Sequence, residues 1–321
     1  MKIAHLADCH LGYSAYNKVD ERTGLNVREL DFYQAFLWTI DKIRSLEPDV
    51  VVLAGDLFHV RRPAASAIVY AQSALSTLDC PIILIPGNHD NATHREPSPL
   101  VALKVISNVI VIDNPQLIYL KGSSFYCVPY TASIPEFKEA DYLVAHLKDN
   151  RVFQFKNSPI RIPESKYKLG FLGDFHVPFG VAANLFYSGA LERTSFNQLD
   201  SPCGFMFWQG TEREFIEVPT RKFVEISSPP ADLEELRGAV VSCVVKTLVD
   251  QDWISDVKRV SLFTKVKVLE REEVLDGSSA SFKISSVLDS FREFCQINRS
   301  VYSKEVIDLA TSALEKELEE A

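Results

Sequence analysis

Five apolar, strand-like runs in this chain each end in a side chain of the kind that binds metal ions, and this recurrence constrains the chain more than any single motif. Residues 2–7 lead into Asp8-Cys9-His10, residues 49–54 into Gly55-Asp56, and residues 81–85 into Pro86-Gly87-Asn88-His89-Asp90. Residues 142–145 lead into His146, and residues 168–172 into Gly173-Asp174-Phe175-His176. Between the early runs lie helix-period segments. Residues 27–46 carry Leu30, Phe32, Phe36, Leu37, Ile40 and Ile43 mostly three or four apart, ahead of Pro48, and residues 63–78 open on Pro63. The first spacing predicts an amphipathic helix, and the proline marks the first turn of a second one. Strand, helix, strand, helix, strand predicts a layered α/β domain, in which residues far apart in sequence meet beyond the carboxyl ends of the strands.

Further along, residues 99–106 read as a short helix, and residues 109–112, 116–120 and 124–128 as strands. Residues 204–218 read as a hairpin around Gln209-Gly210, and residues 223–226 as a last strand before Ser227-Ser228-Pro229-Pro230. Beyond that break the pattern predicts a helix over residues 232–248, a strand over 259–268 and helical segments from 285 to the acidic end at 315–320. A chain of 321 residues exceeds what one core usually serves. The expected division is a catalytic domain at 1–226, a smaller α+β capping domain at 227–290 and a helical segment at 291–321.

Composition removes several classes. Hydrophobic residues make up 46% and charged residues 24% of the chain, enough apolar material for a core and against intrinsic disorder. No uncharged apolar run is long enough to span a bilayer, and the first residues enter a strand directly, so neither a membrane span nor a signal peptide is expected. The six cysteines are widely spaced with no C-x-x-C pair, which argues against a disulfide framework or zinc knuckle and for reduced thiols in the cytoplasm, or the nucleus of a eukaryote. A net charge of −9 speaks against coating nucleic acid by bulk electrostatics but leaves room for a local basic track.

Each site motif is ambiguous alone: D-x-H is also a common surface turn, and an isolated strand-end histidine such as His146 is often a core residue. Together they supply carboxylate oxygen, imidazole nitrogen and, at Asn88, a neutral amide oxygen, a set suited to hard or borderline divalent cations. A carboxylate such as Asp56 has two oxygens and can bridge two of them. In this order the set resembles the calcineurin-like metallophosphoesterases. Gly55-Asp56-Leu57-Phe58-His59 with Arg62-Pro63, then residues 187–193 (Tyr-Ser-Gly-Ala-Leu-Glu-Arg) and 218–223 (Val-Pro-Thr-Arg-Lys-Phe), look like the Mre-eleven and SbcD nucleases of DNA double-strand-break repair.

That resemblance covers about residues 1–226. It implies a two-sheet sandwich flanked by helices, two Mn2+ ions per chain with Mg2+ as a substitute, and hydrolysis of DNA ends by exonuclease and endonuclease action. It implies one metal held by Asp8, His10, Asp56 and His176 and the other by Asp56, Asn88, His146 and Asp174. His89 would act as proton donor or transition-state stabiliser and His59 would orient the phosphate. It also implies a homodimer joined through helices and an SMC-like ATPase partner of the SbcC type. Arg61, Arg62 and Arg193 are the expected phosphate contacts, and Phe179, Phe186 and Tyr187 possible stacking surfaces for unpaired bases. The apolar residues Ala67, Ile68, Ala71, Leu75, Leu100, Leu103 and Val105 would serve either a dimer contact or packing on the sheet. One position departs from the family: its usual G-H-x-H string reads Gly173-Asp174-Phe175-His176, a carboxylate in place of an imidazole. Two further readings stay open, a phosphoesterase of the same fold acting on small molecules or phosphoproteins, and a weakened scaffold that binds DNA ends.

Overall fold

The computed structural model describes residues 1–93, 96–131, 133–246 and 252–269. The chain opens with β1 (Lys2–Leu6), α1 (Val27–Leu46), β2 (Val50–Ala54), α2 (Ala65–Leu75) and β3 (Ile82–Ile85), the alternation expected from periodicity. A 3₁₀ segment, Pro99–Val105, leads to β4 (Val109–Val111), β5 (Gln116–Leu120), β6 (Ser123–Val128), β7 (Tyr142–His146) and β8 (Leu169–Gly173). Then come β9 (Phe179–Ala182), β10 (Leu185–Tyr187), the hairpin β11 (Gly204–Gln209) and β12 (Glu212–Glu217), β13 (Phe223–Ile226), β14 (Val240–Val245), α3 (Trp253–Val260) and β15 (Phe263–Val268).

Two six-stranded sheets result, ordered β12-β11-β1-β2-β3-β4 and β5-β6-β7-β8-β10-β9. Their central strands run parallel, with antiparallel partners on the β11-β12 side of the first sheet and at both edges of the second. Side chains alternate between layers. Val51 and Leu53 of β2 and Ile82 and Leu84 of β3 pack with Phe36, Ile40, Ala67 and Ala71 of the helices. Val50, Val52 and Ala54, with Ile83 and Ile85, face Phe125, Val144 and Phe171 of the second sheet. A strand buried on both faces reads as a continuous apolar run, as Val50–Ala54 does. Each fully buried aliphatic or aromatic side chain contributes about 1.5–3 kcal/mol, so these two layers hold the sandwich together. Leu6 pairs with Leu53, Ala54 with Ile85 and His146 with Gly173. This register aligns the carboxyl ends within each sheet and sets the following turns side by side.

Three expectations need correction. The helix expected over residues 232–248 is overturned where the chain is described: a 3₁₀ turn at Glu234–Leu236 precedes β14, whose sequence VVSCVV is a β-branched run suited to a buried strand, and residues 247 and 248 lie outside the described residues. The predicted strand at 259–268 starts only at Phe263, because Arg259 and Val260 end α3. Residues 223–226 do not close the sandwich; they pair in parallel with β14 as the first strand of a third sheet, β13-β14-β15. The helical segments expected from residue 285 lie outside the described residues. The apolar residues weighed for a dimer divide. Ala67, Ala71, Leu75, Leu100 and Leu103 are core, Ile68 packs against it, and Val105 is exposed together with Val69 and Val101.

The motifs around Glu192 and Arg221 meet at α1. Asn26 caps that helix, accepting from the backbone N–H of Arg28 and Glu29. The Arg28 guanidinium is fully buried, paired with Asp31 and Glu192, donating to the Arg193 carbonyl and lying over the rings of Phe32 and Phe223. Arg221 clamps Asp31 with two nitrogens and donates to the Gly238 carbonyl, which ties β13 and the turn before β14 to the sandwich. Removing one member of a buried ion cluster leaves the others uncompensated, at a cost of about 3–5 kcal/mol. Arg28→Ala is expected to lower the unfolding free energy by about that amount in urea titration, and a loss within error of zero would contradict the packing described here.

Candidate metal centre

The turns that leave β1, β2 and β8 force their side chains over the sheet edge. Asp8, His10, Asp56 and Asp174 have φ of 52°, 46°, 50° and 95°. Positive φ is uncommon outside glycine and costs about 1–3 kcal/mol per residue, and its concentration on four residues beyond the carboxyl ends of neighbouring strands of the two sheets marks a constrained functional site. Backbone bonds from Asp8 N–H to the Gly55 carbonyl (3.1 Å) and from His10 N–H to the Asp56 carbonyl (3.0 Å) lock the first two turns together. Glycine is required where these turns touch. A Cβ on Gly55 would lie 2.1 Å from His146 Nδ1, and one on Gly87 2.1 Å from Asp56 Oδ1.

All seven expected ligands come together. The Nε2 atoms of His10 and His176 are 3.0 Å apart, and Asp56 Oδ2 lies 3.9 Å from His10 Nε2 and 3.6 Å from His146 Nε2. His146 Nε2 is 3.1 Å from Asn88 Oδ1 and 4.0 Å from Asp174 Oδ1. The Asp174 N–H donates to both Asp8 carboxylate oxygens at 3.2 Å. Asp56 therefore stands between the Asp8, His10, His176 group and the Asn88, His146, Asp174 group. His146 Nδ1–H donates to the Ala54 carbonyl at 2.8 Å, which turns Nε2 toward the other members of the cluster.

Charge in this pocket is unbalanced. Burial raises the Asp8 carboxyl well above the usual range, and Asp56 and Asp174 raise it further, against the pull of His146. Burial raises Asp174 too, partly offset by His146 and Lys148. Burial works to lower His146, but the carboxylates of Asp56, Asp8 and Asp174 outweigh it and hold that imidazole at about 9. Burial lowers His176 to about 4 and pushes His10 well below its usual value. Asp174 Oδ2 is buried with no hydrogen bond. Crowded carboxylates, imidazole nitrogens turned inward and an unsatisfied oxygen aimed into one space fit a cation-binding site, because a divalent ion would neutralise the repulsion and satisfy that oxygen. Oxygen donors mixed with imidazole suit hard to borderline divalent cations.

His59 and His89 adjoin this cluster. His89 Nδ1–H donates to the His59 carbonyl at 2.7 Å, the His89 N–H donates to Asp56 Oδ1 at 2.8 Å, and the His59 and His89 rings stack at 5.1 Å. Burial lowers the His59 imidazole, with His89 adding to the effect. Arg61 and Arg62 are exposed, and Arg62 pairs with Glu96. Arg193 is committed elsewhere, its three guanidinium nitrogens donating to Gln198 O, Thr220 Oγ1 and Ser201 O, so it braces the fold and is not free for a phosphate. Phe186 and Tyr187 are buried in the sandwich and cannot stack on a base, while Phe179 is exposed.

Two contributors had no role in the sequence reading. Asp90, fully buried, accepts from the Gly87 N–H (2.7 Å) and the Phe58 N–H (3.1 Å), fixing the loop that carries Asn88 and His89. Burial and the nearby Asp56 raise its carboxyl to about 7. It is the last letter of the Gly87–Asp90 string, so its position was visible though its task was not. Lys148, two residues beyond His146, brings Nζ to 3.9 Å from Asp174 Oδ2. Loss of an outer support of this kind typically costs 10–100-fold in metal affinity. Asp90→Ala is expected to weaken Mn2+ binding by about that factor in calorimetric titration, and an unchanged affinity would contradict its supporting role.

Residues 1–184 match the calcineurin-like phosphoesterase family. Among curated proteins, the chain is 45% identical over 93 residues to the DNA double-strand break repair protein Mre11 of Methanococcus maripaludis, covering 28% of this chain and 23% of that protein. It is 36% identical over 135 residues to the protein of the same name from Methanocaldococcus jannaschii, covering 40% of this chain and 34% of that one. The matched stretches thus span between 23% and 34% of these relatives' lengths. Among solved structures, the Pseudomonas putida nuclease MPE aligns with a TM-score of 0.34 and 16% identity over 66% of this chain and 86% of that one, a likeness too slight to argue from. With more than half its length matched to the family, the chain belongs to the calcineurin-like phosphoesterases.

Proposed function

We propose that this chain is a manganese-dependent nuclease that hydrolyses phosphodiester bonds at DNA double-strand-break ends, with Mg2+ as a possible substitute. The observation that carries the reading is the gathering of Asp8, His10, Asp56, Asn88, His146, Asp174 and His176 with His59 and His89 beside them. The names of the two curated relatives support DNA as the substrate. Asp8, His10, Asp56 and His176 would hold one cation, and Asp56, Asn88, His146 and Asp174 the other. When bound, such cations act as Lewis acids toward the phosphodiester and lower the pKa of water at the site.

The chain's own residues do the rest. His89 has Nδ1 committed to the His59 carbonyl, so Nε2 is the atom that exchanges a proton, and in the imidazolium form it donates to the leaving sugar oxygen. His59, held between His10, His89 and the edge of Tyr13, orients a phosphate oxygen. Arg61 and Arg62 contact the strand's phosphates and position it without reading bases. A capping domain at about 227–290, to which β14 and β15 would belong, and a further segment at 291–321 complete the proposed division, with residues 270–321 outside the described residues. The protein works in the cytoplasm as a homodimer, with the exposed face of Val69, Val101 and Val105 in the contact, and with an SMC-like ATPase of the SbcC type. The five cysteines among the described residues are free, consistent with a reducing compartment. Among the described residues no helix is long and apolar enough to cross a membrane.

Asp174 favours an altered site over the family's usual one, since a carboxylate in place of an imidazole adds negative charge and lowers the Lewis acidity of the adjacent cation. Asp174→His is expected to change the rate or the metal stoichiometry, and no change in either would count against its being a ligand. The direct assay is release of nucleotides from DNA ends on adding Mn2+ to chelator-treated protein. Cleavage is expected with the metal, absent without it, and reduced by roughly 10²–10⁴-fold in His89→Ala. Metal-dependent hydrolysis of a small aryl phosphate with none of DNA would transfer the reading to a small-molecule phosphoesterase, and no metal-dependent cleavage at all would leave a DNA-end scaffold.

A further inference from the structure

On the Asp174 side of the metal centre, the loops that follow β6 and β7 enclose a cleft of about 390 Å³, lined by Tyr130, Lys148, Gln154, Phe155 and Asn157 among others. That volume lies in the range of ligand-binding clefts. Its inner end touches the ligand set. The Tyr130 ring stands edge-on to His146 at 6.3 Å, and Lys148 brings its ammonium to 3.9 Å from Asp174 Oδ2 and 5.7 Å from the centre of the Phe155 ring. Phe155 is anchored from behind by Phe175 and Tyr187, so this wall is rigid before anything binds. The same 3₁₀ turn continues outward to Phe153, which is 81% exposed with the Lys156 ammonium 5.2 Å over its ring.

A phenylalanine left so open, next to a second aromatic wall and two lysines, does not match an apolar protein-docking face, which keeps charge out of its centre. Flat π surfaces interleaved with cations match a polyanion whose repeating unit carries a flat face, which is single-stranded nucleic acid. Gln154 and Asn157 add polar groups at the rim, suited to base edges or sugar.

We propose that Phe153, Lys156, Phe155, Lys148 and Tyr130 form a track for unpaired nucleotides that leads one DNA strand to the metal centre, with Lys148 on the phosphate nearest the cations. The inference deepens the nuclease reading and rests on it. A duplex presents its bases stacked and paired and gains nothing from the aromatic walls, so the track selects ends that are frayed or already single-stranded.

The test is equilibrium binding by the full chain, in EDTA so that binding and not cleavage is read, of a fluorescent oligothymidylate and of a blunt duplex, for wild type, Phe153→Ala, Tyr130→Ala and Lys148→Gln. Phe153 and Lys148 are exposed enough to be replaced without disturbing the core. Stacking lost at one position should weaken single-strand binding by roughly 5- to 150-fold. Lys148→Gln should flatten the dependence of log affinity on log salt by roughly 0.7. Single-strand binding equal to wild type in folded Phe153→Ala and Lys148→Gln, an equal loss on the blunt duplex, or no wild-type binding of the oligothymidylate would each overturn the track. Failure of the parent reading looks different: the wild type would bind the oligothymidylate yet show no Mn2+-dependent cleavage of DNA.

Discussion

Three carboxylates, Asp8, Asp56 and Asp174, meet where the carboxyl ends of the two sheets converge, two of them almost wholly buried, and the basic groups set against them among the described residues are imidazoles and Lys148. Like charges this close repel strongly in a medium of low dielectric. The rest of the structure reads as the scaffolding that keeps them there. Parallel strands in fixed register align the turns, positive-φ backbone aims the side chains, and Gly55 and Gly87 let neighbouring loops pass within contact distance. The two apolar layers of the sandwich supply the stability against which this local repulsion is set, and a bound cation would remove it.

The same logic separates the polar residues by task. Groups that spend their bonds on the fold, such as Arg193 with all three guanidinium nitrogens and Arg28 through its ion pairs, hold elements together. Asp174 Oδ2, buried with no hydrogen bond, and the Nε2 atoms of His146 and His176, whose polar partners are other members of the cluster, point into the site. Asp90 connects the two kinds, spending its carboxylate on backbone donors so that Asn88 and His89 are presented from a fixed loop.

Much of this was legible in the sequence because it depends on local periodicity. The buried runs that became β1, β2 and β3 and the helix at Val27–Leu46 announce themselves by pattern, and residues beyond strand ends converge by a general property of parallel sheets. Residues 240–245 were misread because a short apolar run carries no decisive period, and β-branching should have outweighed the helical reading of its surroundings. The pairing of β13 with β14 and the fate of Arg193 were not legible, since each depends on partners that only the folded chain brings near. Lys148 escaped for the same reason: its charge matters only because the loop after β7 returns to Asp174.

The most direct test of the account is anomalous scattering at the manganese absorption edge from crystals soaked in Mn2+. Two peaks are expected within the cluster, one bounded by Asp8, His10, Asp56 and His176 and the other by Asp56, Asn88, His146 and Asp174. Absence of any peak there, or a single peak with Asp174 turned away from it, would contradict the claim that the strand ends of the two sheets are built to hold a pair of cations.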